Sequence, residues 1–261
     1  SGRVAVVSGA ARGMGKAMSL ALVGAGADVL LIDLNEEGLQ ITADEIKSLG
    51  RKAIAYRMDV AEPTEIRAMF ARLDEEFGRI DFLGNVAGEG VRATPEEITL
   101  DDIERSFRNL VVGRFCLCQE AGRRMLAAGH GSIVNIGSLA ATTALGRGHI
   151  AYSMSMGAVV QMTRELSIEW SHRGVRCNAI LPAQVMNPGL KARIESDARI
   201  KDKFLSGIPI NRFGQPDDIR GLSVFLASDA SSFITGALIP MDGGNLAMNA
   251  GGSPGNEVFE E

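Results

Sequence analysis

The chain has 261 residues, 46% of them hydrophobic, enough for one sizeable core and an ordinary globular balance. Its 27 basic against 32 acidic side chains leave a net charge of −5 at neutral pH, which argues against nucleic acid or an anionic membrane as the main partner, and no apolar run reaches the roughly 18 residues of a membrane span. Three cysteines (Cys116, Cys118, Cys177) and three scattered histidines offer neither a disulfide framework nor metal-ligand spacing, so no metal is expected and the thiols read as buried and reduced.

Val4–Val7 is a short β-branched run that begins almost at once, without a signal-peptide pattern, so a cytoplasmic location is expected. It leads into the turn Ser8-Gly9-Ala10-Ala11-Arg12-Gly13-Met14-Gly15 and an Ala-rich helical pattern from Lys16 to Val23. Val29–Ile32 is a strand stopping at Asp33, and Asn35–Leu49 a helix closed by Gly50. Ala53–Met58 is a strand ending at Asp59, Thr64–Phe77 a helix, and Phe82–Val86 a strand before Ala87-Gly88. Asp101–Ala128 reads as one long helix, followed by a strand at Ser132–Ile136 that runs into Gly137-Ser138. Ile150–His172 is helical, Val175–Ile180 is a strand stopped by Pro182, Asp217–Ala227 is helical and Ala237–Pro240 is the last strand. The alternation implies an α/β fold: a single-domain, Rossmann-like, doubly wound parallel sheet over residues 1–244. The strands are apolar without alternation, as expected when helices cover both faces. Residues 245–261, rich in Gly, Ser, Pro and Asn, read as a tail that is either unstructured or pinned to another subunit.

A glycine-rich turn between a first strand and helix lets backbone approach a pyrophosphate, with the helix N-terminus supplying free N–H groups. Asp33 comes 18 residues after Gly15 at the end of the second strand, near the spacing of a ribose-binding carboxylate. A carboxylate there accepts bonds from ribose hydroxyls and repels a 2′-phosphate, so NAD is expected over NADP. Arg12, a basic residue in the turn, is the dissenting feature.

These motifs together resemble the short-chain dehydrogenase/reductase family, over nearly everything from Arg3 to Gly244. The turn matches the family's T-G-x-x-x-G-x-G, Asp59-Val60 its adenine-contacting pair, and Asn85-Val86-Ala87-Gly88 its N-N-A-G stretch. Asn109 matches the helix Asn, Ser138 the catalytic Ser, and Tyr152, 14 residues later, the catalytic Tyr. Asp242-Gly243-Gly244 matches the closing strand end, while Pro182-Ala183 departs from the family's Pro-Gly and Asn187 stands where a Thr often contacts the carboxamide. The resemblance implies hydride transfer between nicotinamide and an alcohol or carbonyl carbon. Tyr152 would exchange the substrate proton, Ser138 would hold the substrate oxygen, and Asn109 would anchor a water in a proton relay. Gly9, Arg12, Gly13, Met14, Gly15, Asp33, Asp59, Val60, Asn85, Ala87, Gly88, Tyr152, Pro182, Val185 and Asn187 would hold NAD.

The family's Lys, four residues after the Tyr, is Met156 here. Met keeps the length of Lys but has neither charge nor donor, and a phenol with a pKa of about 10 is a poor base without a cation beside it. An otherwise complete site with greatly reduced turnover is therefore expected. The methionine reads as an engineered Lys→Met change or as the mark of a natural inactive relative, and Lys16 lies in the first helix, away from the Tyr. A non-catalytic NAD-binding or scaffold protein is the rival class that Met156 supports.

Substrate should sit among segments after the strand ends: Glu89–Arg92, Leu139–His149 and Gln184–Phe204. Their polar residues, Glu89, Arg92, Thr142, Arg147, His149, Gln184 and Asn187, suit a sugar, polyol or sugar acid, with a 3-oxoacyl-type carbonyl as the alternative. Of these, Glu89, Arg92, His149 and Gln184 are the candidate substrate ligands. Similarity to the family also implies a homotetramer built on the helices at Asp101–Ala128 and Ile150–His172.

Overall fold

The computed structural model describes residues 2–197 and 199–248. Residues 249–261, most of the expected tail, lie outside the described residues. In chain order the regular elements are β1 (Val4–Ser8), α1 (Gly13–Gly24), β2 (Asp28–Asp33), α2 (Glu36–Ser48), β3 (Ala53–Arg57), α3 (Pro63–Phe77) and β4 (Phe82–Asn85). Then come α4 (Leu100–Phe107), α5 (Gly113–Ala128), β5 (Gly131–Ile136), α6 (Ile150–Trp170) and β6 (Val175–Pro182). The last four are α7 (Pro188–Ser196), α8 (Arg199–Leu205), α9 (Arg220–Ala227) and β7 (Leu238–Met241).

All seven strands pair in parallel, in the order β3-β2-β1-β4-β5-β6-β7. This is the expected Rossmann-like doubly wound sheet. Successive side chains of each strand point to opposite faces, and each face is sealed by its own apolar layer. Val4, Val6, Leu30 and Ile32 pack with Ile66, Phe70 and Leu73 of α3 and with Leu117 and Met125 of α5. Ala5, Val7, Val29 and Leu31 pack with Met18 and Leu22 of α1, with Leu39 and Ile46 of α2, and with Leu226 of α9. No described helix is long and apolar enough to cross a membrane.

The winding reverses between β1 and β4, which are direct neighbours. Connections leaving these two strands run to opposite sides and open a crevice at their carboxyl ends. The side chains at the carboxyl ends of β1, β4, β5 and β6 therefore set the floor of any site.

Two segments differ from the sequence expectation. The single helix expected at Asp101–Ala128 is interrupted by one wide π turn, Arg108–Val112. Helix α5 approaches the loop after β3 so closely that a Cβ on Gly113 would lie 1.9 Å from the Val60 carbonyl oxygen. A π turn carries one extra residue, which rotates the start of α5 and turns Arg114 inward. The second difference is Gln184–Phe204, a pocket segment in which the sequence reading marks no helix, and which carries α7 and all but the last residue of α8. Pro188 sits at the first helical position, where its missing N–H costs nothing, and the Asn187 side chain accepts from the Leu190 N–H at 2.9 Å. Leu190, Phe204, Ile208 and Phe213 then bury one another into a small satellite core, so this cover is packed in its own right.

Because Gly113 has no room for a side chain, Gly113→Ala must push α5 off the Val60 backbone. The substitution is expected to lower stability by about 1–3 kcal/mol, the usual range for overpacking, read as a fall in the urea midpoint. An unchanged midpoint would mean that α5 can shift freely.

Candidate active site

Gly9, at φ +69°, turns the chain sharply after β1, and Gly15 packs so tightly under it that a Cβ would lie 2.1 Å from the Gly9 carbonyl oxygen. Helix α1 starts at Gly13 with no side-chain cap from Arg12, which leaves its first N–H groups and positive dipole end for an anion. Asp33, at the end of β2, faces the same turn: its Oδ2 accepts from the Ala11 N–H and its Oδ1 from the Asn35 N–H, both at 3.1 Å. Asp59 Oδ1 accepts from the Ala61 N–H at 2.8 Å and braces the loop that carries Val60. The turn is tied to the next strand by Ser8, whose Oγ accepts from the Val86 and Ala87 N–H groups at 3.0 and 3.1 Å.

From this turn a cleft of about 580 Å³ runs across the strand ends. Gly13, Met14 and Gly88 line its near side, Ser138 and Tyr152 its middle, and Pro182, Gln184, Val185 and Asn187 its far wall. Glu89, Arg92 and His149 reach it from the loops above. Ser138 Oγ accepts from the Ala140 N–H at 3.2 Å, which starts a one-turn helix at Leu139–Ala141 and aims the hydroxyl into the cleft. Tyr152 projects from the first turn of α6, edge-on to the His149 ring at 6.2 Å. Burial pushes the His149 imidazole below its usual range, with Arg92 and Arg147 adding to the effect, so it is neutral at neutral pH. Gln184 Oε1 is buried, lines the cleft and has no protein donor, so it awaits a ligand N–H or O–H.

Apart from Asn187, which lines the far wall, the other sequence candidates lie away from the cleft lining. Asn85 is fully buried, its Nδ2 donating to Asn135 Oδ1 at 2.9 Å and to Cys118 Sγ at 3.2 Å. It joins β4 to β5. Asn109 Oδ1 accepts from the Glu89 N–H at 3.2 Å and braces the loop after β4. Met156, 1% exposed, packs with Leu110, Ala140 and Val159. Asn187 spends its amide on the α7 cap and on the Val185 carbonyl. Thr142 bonds the Leu139 carbonyl. Lys16 forms a 2.7 Å ion pair with Glu45 on α2. Among the described residues no cluster of three or more His, Cys, Asp or Glu could hold a metal.

Two features escape the sequence reading. Arg114 on α5 is 3% exposed and lines the cleft floor. Its Nη2 donates to the Ala87 carbonyl at 3.0 Å, its Nε to the same oxygen at 3.3 Å, and its Nη1 to the Ile136 carbonyl. The available signal is one Arg in the otherwise apolar run Gly113-Arg114-Phe115-Cys116-Leu117-Cys118, one turn before the buried Cys118. The second feature is Arg193 on α7, which flanks the Phe204 ring together with Arg147, at 5.6 and 4.9 Å. Arg92, Arg147 and Arg193 form a basic rim, and among the described residues none of the three is in an ion pair with a carboxylate. Burial, then Arg193 and Arg92, push the Arg147 guanidinium below its usual range. Arg147 also sits at φ +58°, between two positive-φ glycines, a conformation uncommon for any residue but glycine and typical of loops held for function.

Residues 9–245 match the family model described as Enoyl-(Acyl carrier protein) reductase. The D-threitol dehydrogenase of Mycolicibacterium smegmatis is 41% identical over 244 residues, 93% of this chain and 92% of that one. The 2-dehydro-3-deoxy-D-gluconate 5-dehydrogenase of Pseudoalteromonas atlantica is 36% identical over 93% of this chain and 95% of its own. A crystal structure of a gluconate 5-dehydrogenase from Burkholderia cenocepacia, in complex with NADP and tartrate, superposes with a TM-score of 0.88 at 32% identity, covering 95% of this chain and 96% of that one.

Proposed function

The chain belongs to the short-chain dehydrogenase/reductase family, and on that premise we propose that it is an NAD-dependent dehydrogenase of polyhydroxylated substrates bearing a carboxylate, that is, of sugar acids. Its relatives from Mycolicibacterium and Pseudoalteromonas are oxidoreductases of a polyol and a sugar acid. The observation that carries the narrower reading is the basic rim. Three guanidiniums crowd one mouth with no ion-paired carboxylate among the described residues, an arrangement that costs self-repulsion unless an anion joins it. Neutral polyols such as threitol need no such rim.

A nicotinamide nucleotide, when bound, exchanges a hydride with the carbon bearing the substrate oxygen. The tight Gly9–Gly15 cradle, the uncapped N–H groups of α1 and the orphaned Gln184 Oε1 suit such a nucleotide. Ser138 Oγ, held at the cleft floor, donates to the substrate oxygen and steadies its developing charge. Tyr152 exchanges the hydroxyl proton. Met156 supplies neither charge nor donor, so the phenol needs a cation from elsewhere in the floor.

The free, buried Cys116, Cys118 and Cys177 support a reducing compartment such as the cytoplasm. The exposed Val112 and Phe115 on the π turn and α5, and Ile168 on α6, support packing of these helices against further copies. A homotetramer is the expected assembly, and light scattering at a single-subunit mass would rule it out.

The Asp33 carboxylate faces the nucleotide turn, so NAD is expected to outperform NADP. Asp33→Ala removes hydrogen bonds to a charged group, worth about 1.5–3 kcal/mol each, and is expected to raise the KM for NAD about ten-fold or more while narrowing the gap to NADP. A wild-type preference for NADP would refute the assignment. For the substrate, a screen of sugar acids against their neutral polyols is expected to favour the acids. Arg147→Ala should raise KM for the best acid by about ten-fold or more, on the same scale of charged bonds, and leave KM for a neutral polyol unchanged. Neutral polyols outrunning every acid would sink the sugar-acid reading.

A further inference from the structure

We propose that Arg114 is the cation of the active site: from α5 it supports the acid–base function of Tyr152, so that the buried Met156 on α6 marks a relocated charge rather than a missing one. Four observations meet here. The Arg114 side chain is buried at the floor of the same cleft that Ser138 and Tyr152 line. It has no carboxylate partner among the described residues, so its charge is not cancelled. Its contacts are backbone carbonyls of Val86 and Ala87 after β4 and of Ile136 at the end of β5, the level from which Ser138 and the nucleotide turn are presented. Finally, Met156 packs as an apolar core residue in a cluster that Tyr152 borders, so α6 offers its phenol no charge of its own.

The surroundings isolate the pair. Burial holds the Arg114 guanidinium at about 10, and attraction to the Tyr152 phenolate and to the Cys118 thiolate works the other way, so Arg114 is charged at neutral pH. Cys118, from the same helix, is pushed up to about 12 by burial and stays a neutral thiol. His149, at the start of α6, is neutral there too. Glu89, Arg92 and Arg147 lie at the exposed mouth of the cleft, where water screens them. That leaves Arg114 as the buried charge, among the described residues, in the cleft that Tyr152 lines. Arg114 binds through carbonyls, and its four donations leave one of its five N–H groups uncommitted. It acts on the reaction through Tyr152 and is a positioning residue.

The proposal rests on the dehydrogenase reading only for its kinetic arm. The other arm needs neither cofactor nor substrate. The chain has two tyrosines, so in a Tyr56→Phe background the ultraviolet phenolate band reports Tyr152 alone. In the cofactor-free protein, Arg114→Met is expected to move that transition to higher pH. With NAD and substrate it is expected to lower kcat about 10²- to 10⁴-fold, the span of general acid–base catalysis, with KM changed far less. The pH at which activity rises should move in the same direction. Arg114→Met combined with Met156→Lys returns a cation from α6 and should recover both the transition and much of kcat. Met156→Lys alone sets two buried cations together and should lower the thermal midpoint without a gain in rate. A folded Arg114→Met protein with an unmoved phenolate transition and undiminished kcat overturns the proposal. If Arg114→Met does not fold, the same titration on Arg114→Lys and Arg114→Gln decides: equal transitions in the two refute it, and a higher one in the Gln variant upholds it. A moved transition in a protein that turns over no sugar acid leaves Arg114 in place and removes the substrate assignment.

Discussion

The floor of the cleft holds a guanidinium, Arg114, that is buried with no counter-ion among the described residues. Taking a charge out of water costs several kcal/mol even after relaxation, and a carboxylate is the usual remedy. Arg114 uses the edge of the sheet instead. At the carboxyl ends of β4 and β5 the chain leaves the ladder, and carbonyls of Val86, Ala87 and Ile136 come free of strand partners in the direction of α5. Each group solves the other's problem. The carbonyls gain charge-assisted donors, and the cation gains ligands that carry no charge to neutralise it. Its field is therefore still available to a neighbour in the cleft.

This pairing constrains the elements around it. The π turn at Arg108–Val112 and the side-chain-free Gly113 bring α5 close enough for Arg114 to reach the strand ends. Behind it, Asn85, Asn135, Thr163 and Cys177 form a buried polar file across β4, β5, α6 and β6. The file fixes the strand ends sideways, and Ser8 ties β1 to the residues after β4. A one-residue slip of any of these strands would exchange the side chains packed against the two helix layers. It would also take the carbonyls away from Arg114. Register, core and site are thus held by the same contacts.

The sheet is legible in the sequence because its signals are local. Apolar runs of four to eight residues, bounded by Gly, Asp or Pro, mark strands wherever helices cover both faces, and every expected strand is present. The tight glycine-rich turn is legible for the same reason, since Gly9, Gly13 and Gly15 act on their own neighbourhood. The bonds of Asn85 and Asn187 are not legible, because their surroundings are tertiary or depend on an unexpected helix: one amide is taken by Asn135 across the sheet, the other by the cap of α7. Arg114 is hidden for a related reason. Its partners are backbone atoms 22 to 28 residues away in sequence, and backbone leaves no mark in a sequence pattern. Met156, by contrast, stands out in the sequence as an uncharged residue at a telling place. Its sequence neighbourhood carries no trace of the cation on another helix.

Electrostatics makes that substitution physically reasonable. A phenolate responds to a cation's distance and to the water between them, not to the element that carries it. An arginine also stays charged under burial that would neutralise a lysine, so a site that moves its cation to a drier place has reason to change the residue type as it does so. The rim extends the same logic outward. The chain as a whole is acidic, at −5, yet its cleft has arginine at the floor and three more at the mouth. Net charge therefore predicts which macromolecules the surface repels and says little about the cleft. A low-dielectric crevice focuses the field of the charges that line it. On the proposed reading, an anionic substrate drawn to the mouth by Arg92, Arg147 and Arg193 would be led toward Ser138 and Tyr152, where Arg114 would supply the charge that the proton exchange needs.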